Sequence, residues 1–296
     1  KAERDQILSI LVHPTEPEHH VVPQLTGGAA WLASMNPDIL KFMIENDPTA
    51  LILADLDKAG GEDKQNIVTK LLGLIASSGL PLSMMAQKYA KLNHPNLGDQ
   101  LAPLLDKDAS PKMVRHEAMR IAEACQLGDL SPQLCRVSLD ISDNCEVRAA
   151  AITALASIDE ESSLRQLIPL LRGAQSEDPE DEVKGALLNA LYPKYISTND
   201  LFSYITEPKN ESLFGRYALF LGYQLFDGLR PADIPVALSW VSEQQAEYER
   251  VYDLPHRIEA LRNDIMLYAW DFLIDEKTLG AFAKIALVSL LRHEPV

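Results

Sequence analysis

A segment that recurs twice at nearly the same interval constrains this chain more than any other feature. Residues 110–125 (SPKMVRHEAMRIAEAC) align with 143–158 (DNCEVRAAAITALASI) by matching Val114-Arg115 to Val147-Arg148, an offset of 33. Residues 179–192 (PEDEVKGALLNALY) give a third copy through Val183-Lys184, offset by 36. The pieces between them recur too: Leu101–Leu105, Leu134–Ser138 and Leu167–Leu171 are spaced by 33 and 33. Within each copy the apolar residues return every three or four positions, the period of an amphipathic helix, and period-two alternation is almost absent. The unit is therefore two helices joined by a short turn. One such pair cannot bury its apolar stripe alone, whereas stacking on neighbours makes a continuous core. The predicted fold is all-α: an α-α superhelix, a solenoid of stacked antiparallel helix pairs.

Prolines punctuate the helices. Pro37, Pro48, Pro81, Pro111, Pro132, Pro179 and Pro231 stand where a helix is expected to begin, a position at which the missing N–H removes no intrahelical bond. Ser110 and Ser131 precede two of them and are expected to act as caps. Outside the repeat, 29–35, 37–44 and 64–77 read as helices, as do 213–225, 258–274 and 279–292. The last is apolar on nearly all sides, so it is expected to be buried or to meet a continuation. The predicted organisation is an N-terminal helical region over 1–93, repeats over 94–210, and diverged C-terminal helices with a cap over 211–296.

The pattern Asp-x-x-x-Val-Arg followed by small residues, clearest at 143–151, resembles the HEAT repeat. That resemblance implies an acid–base ladder between adjacent repeats, with Arg115, Arg148 and Lys184 as its bases, and a concave surface used for binding. Residues 22–55 supply a second resemblance: Pro23-Gln24-Leu25, then Ala29-Ala30-Trp31-Leu32-Ala33, then Pro37, Asn46-Asp47-Pro48 and Leu51 through Asp55. This run is similar to the helical segment that precedes the HEAT repeats in bacterial NACHT-type NTPases of the STAND class. It implies an ATPase upstream of Lys1 and an intramolecular contact with it. No Gly-x-x-x-x-Gly-Lys-Ser/Thr loop occurs here, so this segment is not expected to bind ATP by itself.

Charge narrows the partners. The chain carries 27 Lys+Arg against 43 Asp+Glu, a net −16. Nucleic-acid binding rests on phosphate neutralisation by a basic stripe, and no such stripe is present. The same balance opposes anionic membranes. The most apolar stretch, 282–291, is about half of what a bilayer requires. Three cysteines, an odd number, do not read as a disulfide framework, and reduced thiols point to the cytoplasm.

Catalytic and metal sets are not evident. His13, His19 and His20 cluster near Glu16 and Glu18 without the converging geometry that zinc needs. Cys125, Cys135 and Cys145 fit no zinc spacing and read as small buried hydrophobes. The acidic run 177–182 reads first as a solvated loop before a helix N-terminus, and second as a patch for a basic partner. Phe214, Tyr217, Phe220, Tyr223 and Phe226 recur every three residues, the spacing of a core stripe. Gln100, Gln133 and Gln166 recur at the repeat interval, with Arg136 and Arg165 between them. These five are the candidate binding residues of a concave face.

The reading that follows is a non-catalytic scaffold or sensor that binds a protein or peptide, without cofactor or metal, as part of a NACHT-type signalling NTPase. A stand-alone HEAT-like scaffold or assembly factor is the alternative. An enzyme on such a scaffold, of the kind that resembles a DNA glycosylase or a lyase, ranks below both.

Overall fold

The computed structural model describes residues 2–13, 15, 19–79, 83–158, 161–173, 178–209, 215–245 and 257–292. Among them the helices are α1 (Ala2–Leu11), α2 (Thr26–Met35), α3 (Pro37–Asn46), α4 (Gly61–Ser78), α5 (Leu97–Leu101), α6 (Lys112–Ala124), α7 (Ser131–Leu139), α8 (Cys145–Ile158), α9 (Glu161–Leu167), α10 (Glu182–Leu191), α11 (Thr198–Tyr204), α12 (Arg216–Leu219), α13 (Leu225–Gly228), α14 (Ile234–Gln245), α15 (Arg257–Trp270) and α16 (Glu276–Arg292). The described residues contain no β-strand, only an isolated antiparallel bridge between Val12 and Val21. The chain is all-α. It divides into two compact units, Lys1–Ser163 and Leu164–Val296.

In the first unit α2 packs on α3, α3 on α4 and α4 on α6, and α8 lies against both α6 and α7. The sequence explains the dense packing there. Ala149, Ala151, Ile152 and Leu155 of α8 are fully buried, and small residues let neighbouring helices approach closely. Asn36 caps α3, its side chain accepting from Asp38 N at 2.9 Å. The serine caps expected at Ser110 and Ser131 do not form. Pro111, not Ser110, is the residue before α6, and neither α6 nor α7 has a side-chain cap. Ser131 is instead the first residue of α7, with its hydroxyl buried and unbonded.

The second helices of the repeat differ in a way that proline explains. α5 tightens into a 3-10 turn over Ala102–Leu105, and α9 does so over Ile168–Arg172. Each turn has proline among its first two residues, Pro103 and Pro169, which removes an N–H and clashes with the preceding turn. In the middle copy the equivalent position is Arg136, and α7 runs through it unbroken.

In the second unit α10 packs on α12, α11 on α14, and α14 on α15 and α16. Gly185 permits the first of these contacts. A Cβ there would stand 2.2 Å from Tyr217 N and 2.4 Å from the carbonyl carbon of Arg216. Phe202 and Trp240 stack at 5.0 Å between ring centres. The helix expected over 213–225, whose residues 213 and 214 lie outside the described ones, is interrupted by a π-helical turn over Phe220–Gln224. The aromatic stripe breaks with it. Tyr217 and Phe220 are buried, but Tyr223 is 71% exposed, because a three-residue interval drifts around a helix and the wider turn adds to the drift. Phe214 of that stripe lies outside the described residues. α16 is not buried on all sides: Leu279, Leu287 and Leu290 face solvent.

Candidate functional site

The repeat is written into side-chain hydrogen bonds. Arg115 Nε donates to Leu105 O at 3.0 Å, and Arg148 Nε donates to Ser138 O at 3.2 Å. Donor and acceptor both shift by the repeat interval, so each arginine ties its helix to the end of the helix before it. Arg115 also grips Asp143 with both terminal nitrogens, Nη1 meeting Oδ1 at 2.9 Å and Nη2 meeting Oδ2. This fork is buried, with Arg115 3% and Asp143 7% exposed, so it is a desolvated pair. Burial alone raises the Asp143 carboxyl, but the Arg115 hydrogen bonds, the Asn144 amide and the guanidinium charge outweigh it and hold the group below the usual carboxylate range. Lys184 departs from the pattern. Its ammonium donates to Thr206 Oγ1 at 2.6 Å and sits 4.1 Å from the centre of the Tyr217 ring. Burial lowers its pKa to about 8.

A cleft of about 590 Å³ opens beside the Arg115–Asp143 fork. Its walls are the turn from Leu105 to Ala109, which follows the proline-tightened end of α5, and the C-terminal part of α7 with Asp140. Arg115 and Asp143 form its buried wall. At the rim Arg136 Nη2 reaches Asp106 Oδ1 at 3.4 Å, and Lys107 Nζ donates to Ser142 O at 2.6 Å and to Ser142 Oγ at 3.2 Å. Asp140 Oδ1 accepts from the Ser142 hydroxyl at 2.6 Å and the Ser142 amide at 3.0 Å, which keeps its pKa low.

The candidate binding residues fall in different settings. Gln100 is held inside the first unit, its amide donating to Gln65 O and Thr69 Oγ1, each at 2.9 Å, while its oxygen lies 3.0 Å from His94 Nε2. It joins α5 to α4. Burial, with the Lys64 charge second, lowers the His94 pKa. Gln133 is half-buried and its Oε1 has no partner among the described residues. Arg136, three positions on along α7, lines the cleft. Arg165 and Gln166 belong to the second unit, both exposed, with the Arg165 guanidinium 5.5 Å from the centre of the Tyr195 ring. Asp108 and Asp140 are cleft residues that the repeat comparison passed over. The signal for Asp108 was a turn rich in charge after the proline-tightened end of α5, whereas Asp140 directly follows the unbroken α7.

The acidic run 177–182 is only partly a solvated loop; Glu177 lies outside the described residues. Asp178 and Asp181 are buried. Asp178 accepts from Lys184 N at 2.9 Å, Asp181 from Lys209 N at 2.8 Å, and Glu182 from Arg216 N at 3.1 Å. The Asp178 carboxylate thus holds the first turn of α10, and those of Asp181 and Glu182 tie the start of α10 to residues 209 and 216. Cys125 and Cys135 are buried, Cys145 is half-buried, and each carries a thiol outside any disulfide. Burial pushes the Cys125 thiol up to about 11. Among the described residues no group of three or more His, Cys, Asp or Glu is placed to hold a metal, and no helix is long and apolar enough to cross a membrane.

Comparison with known proteins adds no relative: no family model, curated protein or solved structure matches the chain.

Proposed function

We propose that this chain is a HEAT-like solenoid that binds a protein or peptide partner, and that it is the recognition segment of a larger NACHT-type signalling NTPase in the cytoplasm. The observation that carries the scaffold reading is the pair of equivalent arginine bonds, Arg115 to Leu105 O and Arg148 to Ser138 O, one repeat interval apart. Side chains reused at a fixed interval to fix helix register are what a stacked array requires. The similarity of residues 22–55 to the segment ahead of NACHT-associated repeats supports the link to an ATPase. The net charge of −16 favours a basic partner surface over nucleic acid or an anionic membrane.

The gene tests this. A reading frame that encodes a P-loop module upstream of Lys1 is expected, and its full-length product is expected to hydrolyse ATP at a rate that changes when residues 94–296 are removed. A start codon directly before Lys1, with no nucleotide-binding module, refutes the link and leaves a stand-alone scaffold.

A further inference from the structure

The cleft beside the Arg115–Asp143 fork has an uneven supply of charge. Its three bases are already engaged: Arg115 by Leu105 O and Asp143, Lys107 by Ser142, and Arg136 by Asp106. Its acids are less engaged. No hydrogen bond or ion pair of Asp108 occurs among the described residues, and Asp140 uses only Oδ1. A second observation bears on the kind of ligand. Arg115 is 3% exposed and its guanidinium carries five N–H groups. Nε, Nη1 and Nη2 each make one bond, so among the described residues two of its N–H groups have no acceptor. A group that satisfies this cleft brings a cation for the rim carboxylates and a neutral acceptor for Arg115.

From this we infer that the cleft between the Leu105–Ala109 turn and α7 receives an arginine or lysine side chain of a partner polypeptide, with Asp108 and Asp140 facing the cation and Arg115 meeting a backbone carbonyl. The volume, about 590 Å³, lies in the range of sites that hold small ligands or a short piece of a peptide. A guanidinium suits the carboxylates because it presents a planar fork of donors. The overall negative charge draws such a partner in. This assignment rests on the scaffold reading and gives the partner its chemistry.

The probe is a hexa-arginine peptide, acetylated and amidated at its ends, titrated into the full chain by calorimetry at low salt. The hexa-citrulline peptide is the uncharged control of the same shape. The peptide is expected to bind, and citrulline to bind at least about tenfold more weakly, the loss of roughly one charge-assisted hydrogen bond. Asp108→Asn combined with Asp140→Asn is expected to weaken hexa-arginine by the same factor or more. Asp38→Asn combined with Glu259→Gln removes the same charge from exposed positions outside the cleft and is expected to stay within about twofold, because charges far from the peptide are screened. The Arg115 Nε–H signal in the unaltered, isotope-labelled chain is expected to shift on titration, a readout independent of any variant's folding. Equal losses in the two double variants, no binding, or an unmoved Arg115 signal overturns the cleft assignment. Each of these leaves the link to an ATPase untouched, because that is decided by the gene.

Discussion

Replacing Arg115 with methionine removes the centre of the first repeat seam, and its cost follows from the geometry. The substitution deletes the bond to Leu105 O and both bonds to Asp143. Asp143 stays buried, 7% exposed, with only the Asn144 amide at 2.8 Å to support its charge. Removing one partner of a buried pair costs about 3–5 kcal/mol. In a cooperative unit of this size each kcal/mol lowers the melting temperature by about 2–4 °C, so a drop of about 6–20 °C is expected by circular dichroism. Arg115→Met with Asp143→Leu removes the stranded charge and is expected to recover at least half of that drop, since apolar replacement of both partners is often neutral. Because the Asp143 carboxyl sits below its ordinary range when folded, the pair's contribution is present above the unfolded value of about 3.9. It is lost as pH falls through the lower folded value. A single variant that melts within about 2 °C of the parent, or a double variant worse than the single, refutes the reasoning.

Gly185→Ala places a methyl group 2.2 Å from Tyr217 N. The neighbour is backbone and cannot turn aside, so overpacking of about 1–3 kcal/mol or more exceeds the helix-propensity gain of about 1 kcal/mol. Urea denaturation is expected to show a lower midpoint, and a raised one contradicts the close approach of α10 and α12. Lys184 is depressed to about 8 by burial, so between that value and 10.5 the unfolded chain binds the extra proton and stability rises with pH. The urea midpoint of the parent, relative to Lys184→Met, is expected to increase from about pH 8 to about pH 9.5; a difference that stays flat or falls shows that the ammonium is not desolvated. Arg136→Met removes an exposed pair with Asp106 and is expected to change stability by less than about 1 kcal/mol, which a thermal melt checks against Arg115→Met.

Helices were legible in the sequence where apolar spacing was regular. α4, α6, α8, α15 and α16 lie where the pattern places them, and Pro37 opens α3 as expected. What was not legible depended on neighbours. The burial of Asp178 and Asp181 follows from partners at Lys184 and Lys209, which no local pattern announces. The exposure of Tyr223 follows from a π-helical turn, which carries no composition signal. Of the candidate site, Arg136 stands where the flanking copies carry proline and does line the cleft, whereas Gln100 follows the repeat and proves to be committed to α4. Repetition in sequence finds equivalent positions; it does not tell a clamp from a contact surface. Asp108 escaped notice because it sits in a turn, where the repeat has no periodicity to read.

The central claim is that residues 110–158 contain two interchangeable repeat units. Duplicating residues 110–142 in phase, between Ser142 and Asp143, with Ser110→Asp in the added copy so that both copies of Arg115 meet an acid, tests it directly. In a repeat array each unit contacts only its neighbours, so the lengthened chain is expected to remain monomeric, to keep its helical signal per residue, and to melt cooperatively at or above the parent's temperature. An insoluble product, or a melt broadened and lowered by more than about 10 °C, contradicts the repeat architecture.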